Sequence, residues 1–162
     1  MTFTLAERQD LAAIEAIYAE ARAYMKETGN ADQWGTRYPE TALILADIAE
    51  NALYTVRIDG EIAAVFYFRI GSDDTYREID GAWQNETPYA VIHRVAVSDS
   101  FRGCGVARAI FDFCYACFPN LKIDTHENNL PMQRTLERNG FRRCGTVYTE
   151  SGDARIAYQR CK

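Results

Sequence analysis

The sequence has few features that would mark an exported, membrane-bound or metal-binding protein. No apolar run approaches the ~20 residues that a membrane span needs, and the first ten residues lack the basic, then apolar pattern of a secretory signal. Five cysteines, an odd number, fit reduced thiols better than a disulfide framework. We therefore expect a cytoplasmic protein in which residues 1–162 form a single domain with one substantial core.

A broad basic surface is also lacking. The net charge of −5 disfavours nucleic acid as a partner, and nothing in the composition indicates a membrane partner. The charge is uneven, because residues 1–100 contain 8 Lys/Arg against 17 Asp/Glu, whereas residues 101–162 contain 10 against 6. An acidic first part and a basic second part fit a cationic substrate and an anionic cofactor. Solvent-exposed charges that are unevenly distributed, with no role in binding, explain the same asymmetry equally well.

Hydrophobic periodicity predicts an α/β domain with a largely antiparallel middle sheet. The predicted order is a strand at 2–5, helices at 10–28 and 40–51 around a loop at 30–39, a hairpin joined at Asp59-Gly60, a polar segment at 71–88, a strand at 89–97, a helix at 105–118, a strand at 121–126, a helix at 131–139 and two final strands around Ser151-Gly152-Asp153. This order differs from a doubly wound βαβ repeat.

The most informative segment is VIHRVAVSDSFRGCGVARAIFDF, in which a strand leads through a glycine-rich loop into a helix. Small residues let the backbone approach a ligand closely, and the first amides of a helix have no intrahelical partner. Together with the helix dipole, they favour a bound phosphate or diphosphate. The residues that we expect to form this cradle are Arg102, Gly103, Cys104, Gly105, Val106 and Ala107.

Two other phosphate-binding motifs fit this segment poorly. A Walker A loop needs a Lys that is absent here. A dinucleotide-binding fingerprint requires Gly at the position of Arg108. It also requires a βαβ unit, which the earlier strands do not form. A glycine-rich turn that only connects two elements is the structural alternative.

With these residues identified, the sequence resembles the GNAT superfamily of acetyl-CoA-dependent N-acetyltransferases. The motif Arg/Gln-x-x-Gly-x-Gly/Ala of that family is matched by Arg102, Gly105 and Ala107. A second family motif ends in a basic residue and Gly-Phe, and it is matched from Asn129 to Gly140-Phe141. The element order over the whole chain is similar as well.

The resemblance implies a fold, a co-substrate and the residues that bind it. The fold is a mixed, mostly antiparallel sheet of about 6–7 strands flanked by about 4 helices, with a V-shaped split between strands 89–97 and 121–126. Acetyl-CoA is the implied acyl donor, and no metal is implied. The pantetheine arm would pair with the backbone of Val95, Ala96 and Val97, the amides of 103–107 would hold the diphosphate, and Asn129 would lie beside the pantetheine.

Catalysis is the point at which the sequence departs from the family. The Tyr that is thought to protonate the leaving thiolate aligns with Leu136. Another group could replace it, the thiolate could leave unassisted, or activity could be lost. An amine nucleophile with a pKa of about 10 also needs a base or a water chain that carries the proton away. His93 and His126 are the candidates, because histidine titrates nearest neutral pH.

Strict alternation along strand 89–97 predicts that Val91, His93, Val95 and Val97 share one face. His93 would then act as base or pack beside the core, and His126 would lie at the other lip of the same cleft. The resemblance places the acceptor site near the first two helices and the central strands. The candidate acceptor-binding residues there are Trp34, Tyr38, Tyr67 and Trp83. Arg155, near the end of the chain, is a candidate for binding a carboxylate of the acceptor.

The sequence therefore predicts transfer of acetyl from acetyl-CoA directly to a primary amine of a small molecule or an amino acid. A protein N-terminus or lysine is the alternative acceptor. A regulatory acyl-CoA-binding module with little catalysis is the alternative class, motivated by Leu136. The oligomeric state stays open, with a homodimer as one option.

Overall fold

The computed structural model describes every residue from Met1 to Lys162. The five helices are α1 Leu11–Glu27, α2 Ala31–Trp34, α3 Thr41–Ala49, α4 Val106–Cys117 and α5 Leu130–Arg138. The eight strands are β1 Thr2–Leu5, β2 Leu53–Ile58, β3 Glu61–Ile70, β4 Asp80–Gly81, β5 Ala90–Val97, β6 Asn120–Thr125, β7 Arg142–Tyr148 and β8 Ala154–Cys161. No helix has both the length and the apolar character that crossing a bilayer requires.

The strands form one mixed sheet in the order β1-β2-β3-β5-β6-β8-β7-β4. Every neighbouring pair is antiparallel except β5 and β6, which are parallel. The predicted fold class is confirmed, with one strand and one helix beyond the expected numbers. The additional helix α2 lies in the predicted loop 30–39, and the additional strand β4 lies in the polar segment 71–88.

Glycines explain why the short strand β4 can pair with β7. A Cβ on Gly81 would lie 2.3 Å from the carbonyl oxygen of Cys144, and one on Gly145 would lie 2.1 Å from that of Asp80. Only two glycines allow the chains to pass this closely. Their contact fixes the path of the segment 71–88, which carries part of the site described below.

Two hydrophobic clusters cover the two faces of the sheet. The α4 core includes Val106, Ile110 and Phe111 from α4 together with Leu136 from α5. The α1 core, on the opposite face, includes residues of α1 and α3, such as Ile14 and Ile44. Both clusters are built from the apolar stripes that the helical periodicity predicted.

The parallel strands β5 and β6 separate soon after they meet. They pair only at Ala90 with Leu121 and at Val91 with Lys122, and no residue of β5 after Val91 pairs with β6. This split is the expected V-shaped opening, and it leaves one edge of β5 without a strand partner.

The prediction that Val91, His93, Val95 and Val97 share one face is wrong. Val91 lies in the α1 core, whereas Val95 lies in the α4 core. The register of β5 against β3 shifts at this level, and Arg94 has a φ of 51°. A bulge of this kind inserts an extra residue, so the alternation of faces reverses across it.

Candidate active site

A cleft of about 840 Å³ opens where β5 and β6 diverge. The segment around α2 forms one wall, the strands form the floor, and the turn between β7 and β8 forms the opposite wall. The lining includes Trp34, Tyr38, Tyr67, Asp73, His93, Arg94, Val95, Asp124, Thr125, Asn129, Met132, Glu150, Asp153 and Arg155.

His93 lies in this cleft between two carboxylates. Its Nε2 atom is 2.7 Å from Oδ2 of Asp73, and its Nδ1 atom is 4.0 Å from Oδ2 of Asp124. The side chain of His93 is 21% exposed, so one edge of the ring remains open to the cleft. The Asp124 oxygen also accepts a 2.6 Å hydrogen bond from the hydroxyl of Tyr76, which is 2% exposed.

The charge state of Asp73 follows from its neighbours. Burial disfavours its ionised form, but the hydrogen bond and charge of His93, with the amide of Thr75, outweigh burial and lower the pKa of Asp73 to about 2. An ionised Asp73 accepts a hydrogen bond from the N–H at Nε2, so that in the neutral form of His93 the Nδ1 atom carries the lone pair. That lone pair faces Asp124.

The predicted phosphate cradle forms a second cavity, of about 380 Å³, at the start of α4. Gly105 precedes the helix with a φ of 78°, a conformation suited to glycine. The amides of Gly103, Gly105, Val106 and Ala107 make no hydrogen bond within the protein. The amide of Cys104 differs, because it donates to the carbonyl of Phe101 at 3.2 Å. Four of the five expected donors are therefore free to bind an anion.

Arg102 is fixed beside this cavity. Its guanidinium stacks on the ring of Tyr24, 3.6 Å from the ring centroid, and pairs with Asp99. The contact with Tyr24 anchors the cradle to α1. The charge of Arg102 thus stays near the free amides, where it favours a bound diphosphate.

The two cavities join at the split between the strands, because Met25, Val95, Asn129 and Met132 line both. Asn129 is 7% exposed, and its Oδ1 caps α5 by accepting from the amide of Met132 at 3.2 Å. Its Nδ2 donates to Oε1 of Gln33 at 3.0 Å. Asn129 thus ties α5 to the segment around α2, and it lies where a ligand would pass from one cavity to the other.

Four of the five expected acceptor-binding residues line the cleft, and two expected site residues lie elsewhere. Trp83 packs its ring on Nζ of Lys122 and donates to the carbonyl of Tyr76 at 3.0 Å. His126 lies outside both cavities, and its Nδ1 accepts from the amide of Asn128 at 3.0 Å, which closes the turn after β6. Leu136 is 0% exposed in the α4 core, so its position presents nothing to the cleft.

Sequence reasoning did not single out Asp73, Tyr76 or Asp124 as one cluster around His93. Asp124 carried the only available signal, because it ends a strand beside the predicted split. Asp73 and Tyr76 lie in the polar segment 71–88, and their contact with His93 depends on the path of that segment. No group of three or more His, Cys, Asp or Glu side chains is arranged to hold a metal ion.

The split sheet with a phosphate cradle at its edge is the fold of an acyl-CoA-dependent acetyltransferase. The family model for the acetyltransferase (GNAT) family matches residues 12–141. The chain belongs to this family, whose acyl donor is acetyl-CoA. A comparison with curated proteins finds no match.

Solved structures agree with this assignment. A GNAT-family acetyltransferase from Streptococcus agalactiae is 30% identical, with a TM-score of 0.91 over 99% of this chain and 95% of that chain. AAC(6')-Ib, solved with ribostamycin and coenzyme A, has the same fold at 21% identity and a TM-score of 0.68, over 99% and 93% of the two chains. A ribosomal-protein-alanine N-acetyltransferase from Brucella melitensis shares the fold at 16% identity and a TM-score of 0.67, over 100% of both chains.

Proposed function

We propose that this protein transfers acetyl directly from acetyl-CoA to a primary amine of a small molecule or an amino acid, with His93 as the base. The observation that carries the proposal is the pair of acceptor atoms, Nδ1 of His93 and Oδ2 of Asp124, which face each other across 4.0 Å in the cleft. A substrate ammonium group carries three N–H donors, so it can donate to both atoms at once.

The neighbours of His93 suit it to receive a proton. Asp73 accepts from Nε2 and stays ionised, so it stabilises the imidazolium that forms when Nδ1 takes up the amine proton. The arrangement matches the logic of a catalytic triad, with the amine in place of the serine. Asp124 retains an interaction with the amine while the proton moves, because Tyr76 holds its carboxylate in place.

The cradle and the split align the acyl donor with this group. The free amides of 103 and 105–107 and the guanidinium of Arg102 fit a diphosphate. Acetyl-CoA supplies an activated thioester, whose acyl–sulfur bond breaks as the bond to the amine nitrogen forms; His93 takes the first proton of the ammonium group, and the second proton that the nitrogen loses passes to solvent. The chain offers no Tyr from α5 to protonate the thiolate, and a thiol pKa of about 8.5 makes an unassisted thiolate tolerable beside a helix N-terminus.

The charges of the cleft favour a small zwitterionic acceptor. Asp73, Asp124, Glu150 and Asp153 line it. Of its two arginines, Arg94 is already paired with Asp47, whereas Arg155 has no carboxylate partner. Arg155 is therefore available for a carboxylate at one end of the acceptor, while Asp124 and His93 bind the amine at the other.

Thiol release measured over a panel of acceptors tests this function. The panel contains amino acids, the matching amino acid amides, simple monoamines and short peptides with free N-termini. We expect coenzyme A release with amino acids and small amines and a lower kcat/KM for peptides. Coenzyme A binding with no thiol release for any amine would instead support a regulatory binding module. Peptides as the best substrates would overturn the assignment of a small acceptor.

A further inference from the structure

Arg94 has an unusual backbone conformation at the centre of β5. Three residues other than glycine have a positive φ: Asn51, Asp59 and Arg94. Asn51 and Asp59 lie in turns, and both residue types tolerate this region. Arg94 lies within a strand and has a long side chain, so its conformation costs free energy that surrounding contacts must offset.

Several contacts hold Arg94 in this conformation. Its guanidinium donates to both carboxylate oxygens of Asp47 in α3, each at 2.8 Å, and Asp47 is 3% exposed. The guanidinium also lies 3.3 Å from the hydroxyl of Tyr38 and 4.5 Å from the ring centroid of Tyr67. The hydroxyl of Tyr18 in α1 donates to the backbone carbonyl of Arg94 at 3.0 Å.

We propose that the ion pair between Arg94 and Asp47 is a positioning device for acetyl transfer, an inference that rests on the proposed function. It holds the bulge of β5 so that His93 faces the acceptor cleft. Neither residue takes part in bond formation. Both act through the orientation of His93.

The bulge matters because it reverses the face of each residue that follows it. Val91 lies in the α1 core before the bulge, and Val95 lies in the α4 core after it. His93 can therefore meet Asp73 and Asp124 while Val95 lines both cavities. Without the bulge, one of these two positions would turn away from its present neighbours.

The ion pair also connects the bulge to the wall of the cleft. Asp47 belongs to α3, and Tyr38 belongs to the segment between α2 and α3 that lines the acceptor side. A fork of two hydrogen bonds fixes both the direction and the distance of the guanidinium. A displacement of this wall would therefore also displace His93, because Arg94 connects the wall to the bulge of β5.

The test uses the double variant Arg94→Gln/Asp47→Asn. Replacing both partners avoids the buried, unpaired carboxylate that a single change at Arg94 would leave. We expect kcat to fall about 10- to 100-fold, as a small misplacement of a reacting group does, and coenzyme A affinity to change less than kcat, because the bulge also positions Val95 at the cradle cavity. We also expect the imidazole ¹⁵N signals of His93 to change in the protein without ligands.

The chain offers a matched control in the ion pair between Arg57 and Asp10, whose atoms are 2.8 Å apart. This pair joins β2 to the start of α1, and neither residue lines the cleft. The double variant Arg57→Gln/Asp10→Asn should lose stability as well, but it should keep its kcat and its His93 signals. Arg94→Lys keeps the charge and loses the fork, so an intermediate kcat is expected.

Equal kcat in the Arg94/Asp47 variant and the wild type would overturn the proposal. An equal loss of kcat in the two double variants would overturn it too, because the loss would then reflect reduced stability and not the orientation of His93. The spectrum separates this proposal from the proposed function. Only two histidines exist, so His126→Gln assigns the remaining signals to His93. If the wild type acetylated no amine, the proposed function would fail, and the His93 signals would still decide whether the ion pair orients the ring.

Discussion

The Nδ1 atom of His93 faces the Oδ2 atom of Asp124 across 4.0 Å, a separation too long for a hydrogen bond between them. Each of the two side chains has a second partner that fixes it. Asp73 holds the other nitrogen of His93, and the buried hydroxyl of Tyr76 holds the carboxylate of Asp124. The arrangement is therefore rigid and lacks only a donor between its two acceptors, which the ammonium group of the proposed acceptor would supply.

Replacing His93 by Gln should remove the base and keep a side chain of similar size. We expect kcat to fall about 10²- to 10⁴-fold, the usual contribution of a general base. Coenzyme A affinity should stay the same, because His93 does not line the cradle. Steady-state thiol release with the best amine of the panel measures the effect. His126→Gln is the control, and equal losses in the two variants would contradict the assignment of His93.

Replacing Asp73 by Asn should reduce stability at neutral pH in a way that acid removes. The pKa of Asp73 is lowered to about 2 in the folded protein, so its stabilising contribution is present above the unfolded pKa and is lost as the pH falls through the folded value. A shift of this size corresponds to about 2 kcal/mol at neutral pH. Urea unfolding of wild type and variant should differ by about this amount at pH 7, and the difference should shrink between about pH 4 and about pH 2.

The neighbouring Asp74 provides the control for that experiment. Its side chain is 92% exposed and pairs only with Arg77 on the surface. Asp74→Asn should therefore change stability little at any pH. A constant gap between wild type and Asp73→Asn across the acid range would contradict the ionised Asp73, held by His93 and the amide of Thr75, as the source of the stabilisation.

The parts of the molecule with strong local signals were predictable from the sequence. The predicted strand 89–97 and helix 105–118 correspond to β5 at Ala90–Val97 and α4 at Val106–Cys117. The glycine-rich turn with free amides at the start of α4 was predictable because strand, glycines and helix start lie within one short stretch, and its proposed role in binding a diphosphate depends on backbone atoms rather than on distant side chains.

The cluster around His93 was not predictable in full, because it depends on contacts between distant segments. Asp73 reaches His93 because the segment after β3 folds back beside the start of β5, where the hydroxyl of Tyr89 accepts a hydrogen bond of 3.0 Å from the amide of Asp73. The bulge of β5 gave no sequence signal, since Arg94 is a residue type that rarely has a positive φ. Tertiary contacts to Asp47 and Tyr18 overrode the local preference there.

Replacing Gly105 by Ala should weaken coenzyme A binding through the backbone alone. Gly105 has a φ of +78°, and an added Cβ would meet no atom within 4 Å, so the cost is backbone strain of about 1 kcal/mol. Relief of that strain moves the free amides at the start of α4. We expect the Kd for coenzyme A, measured by calorimetry, to rise about tenfold.

Gly60 is a matched control for this variant. It has a φ of +83°, has the same open surroundings and lies in the turn between β2 and β3, outside the residues that line the cradle. Gly60→Ala should lose a similar free energy of unfolding and keep its coenzyme A affinity. If both variants bound coenzyme A as the wild type does, the free amides would not form the diphosphate site.

Replacing Arg155 by Gln should raise KM for acceptors that have a carboxylate and leave KM unchanged for acceptors that lack one. A charge-assisted hydrogen bond contributes about 1.5–3 kcal/mol, so KM for an amino acid should rise about tenfold or more. The matching amino acid amide, which has no carboxylate, should keep its KM and kcat. The exposed Arg142 of β7 lies outside the cleft, so Arg142→Gln controls for the loss of one positive charge. An equal rise of KM for acid and amide would mean that Arg155 contributes general charge and does not bind the carboxylate.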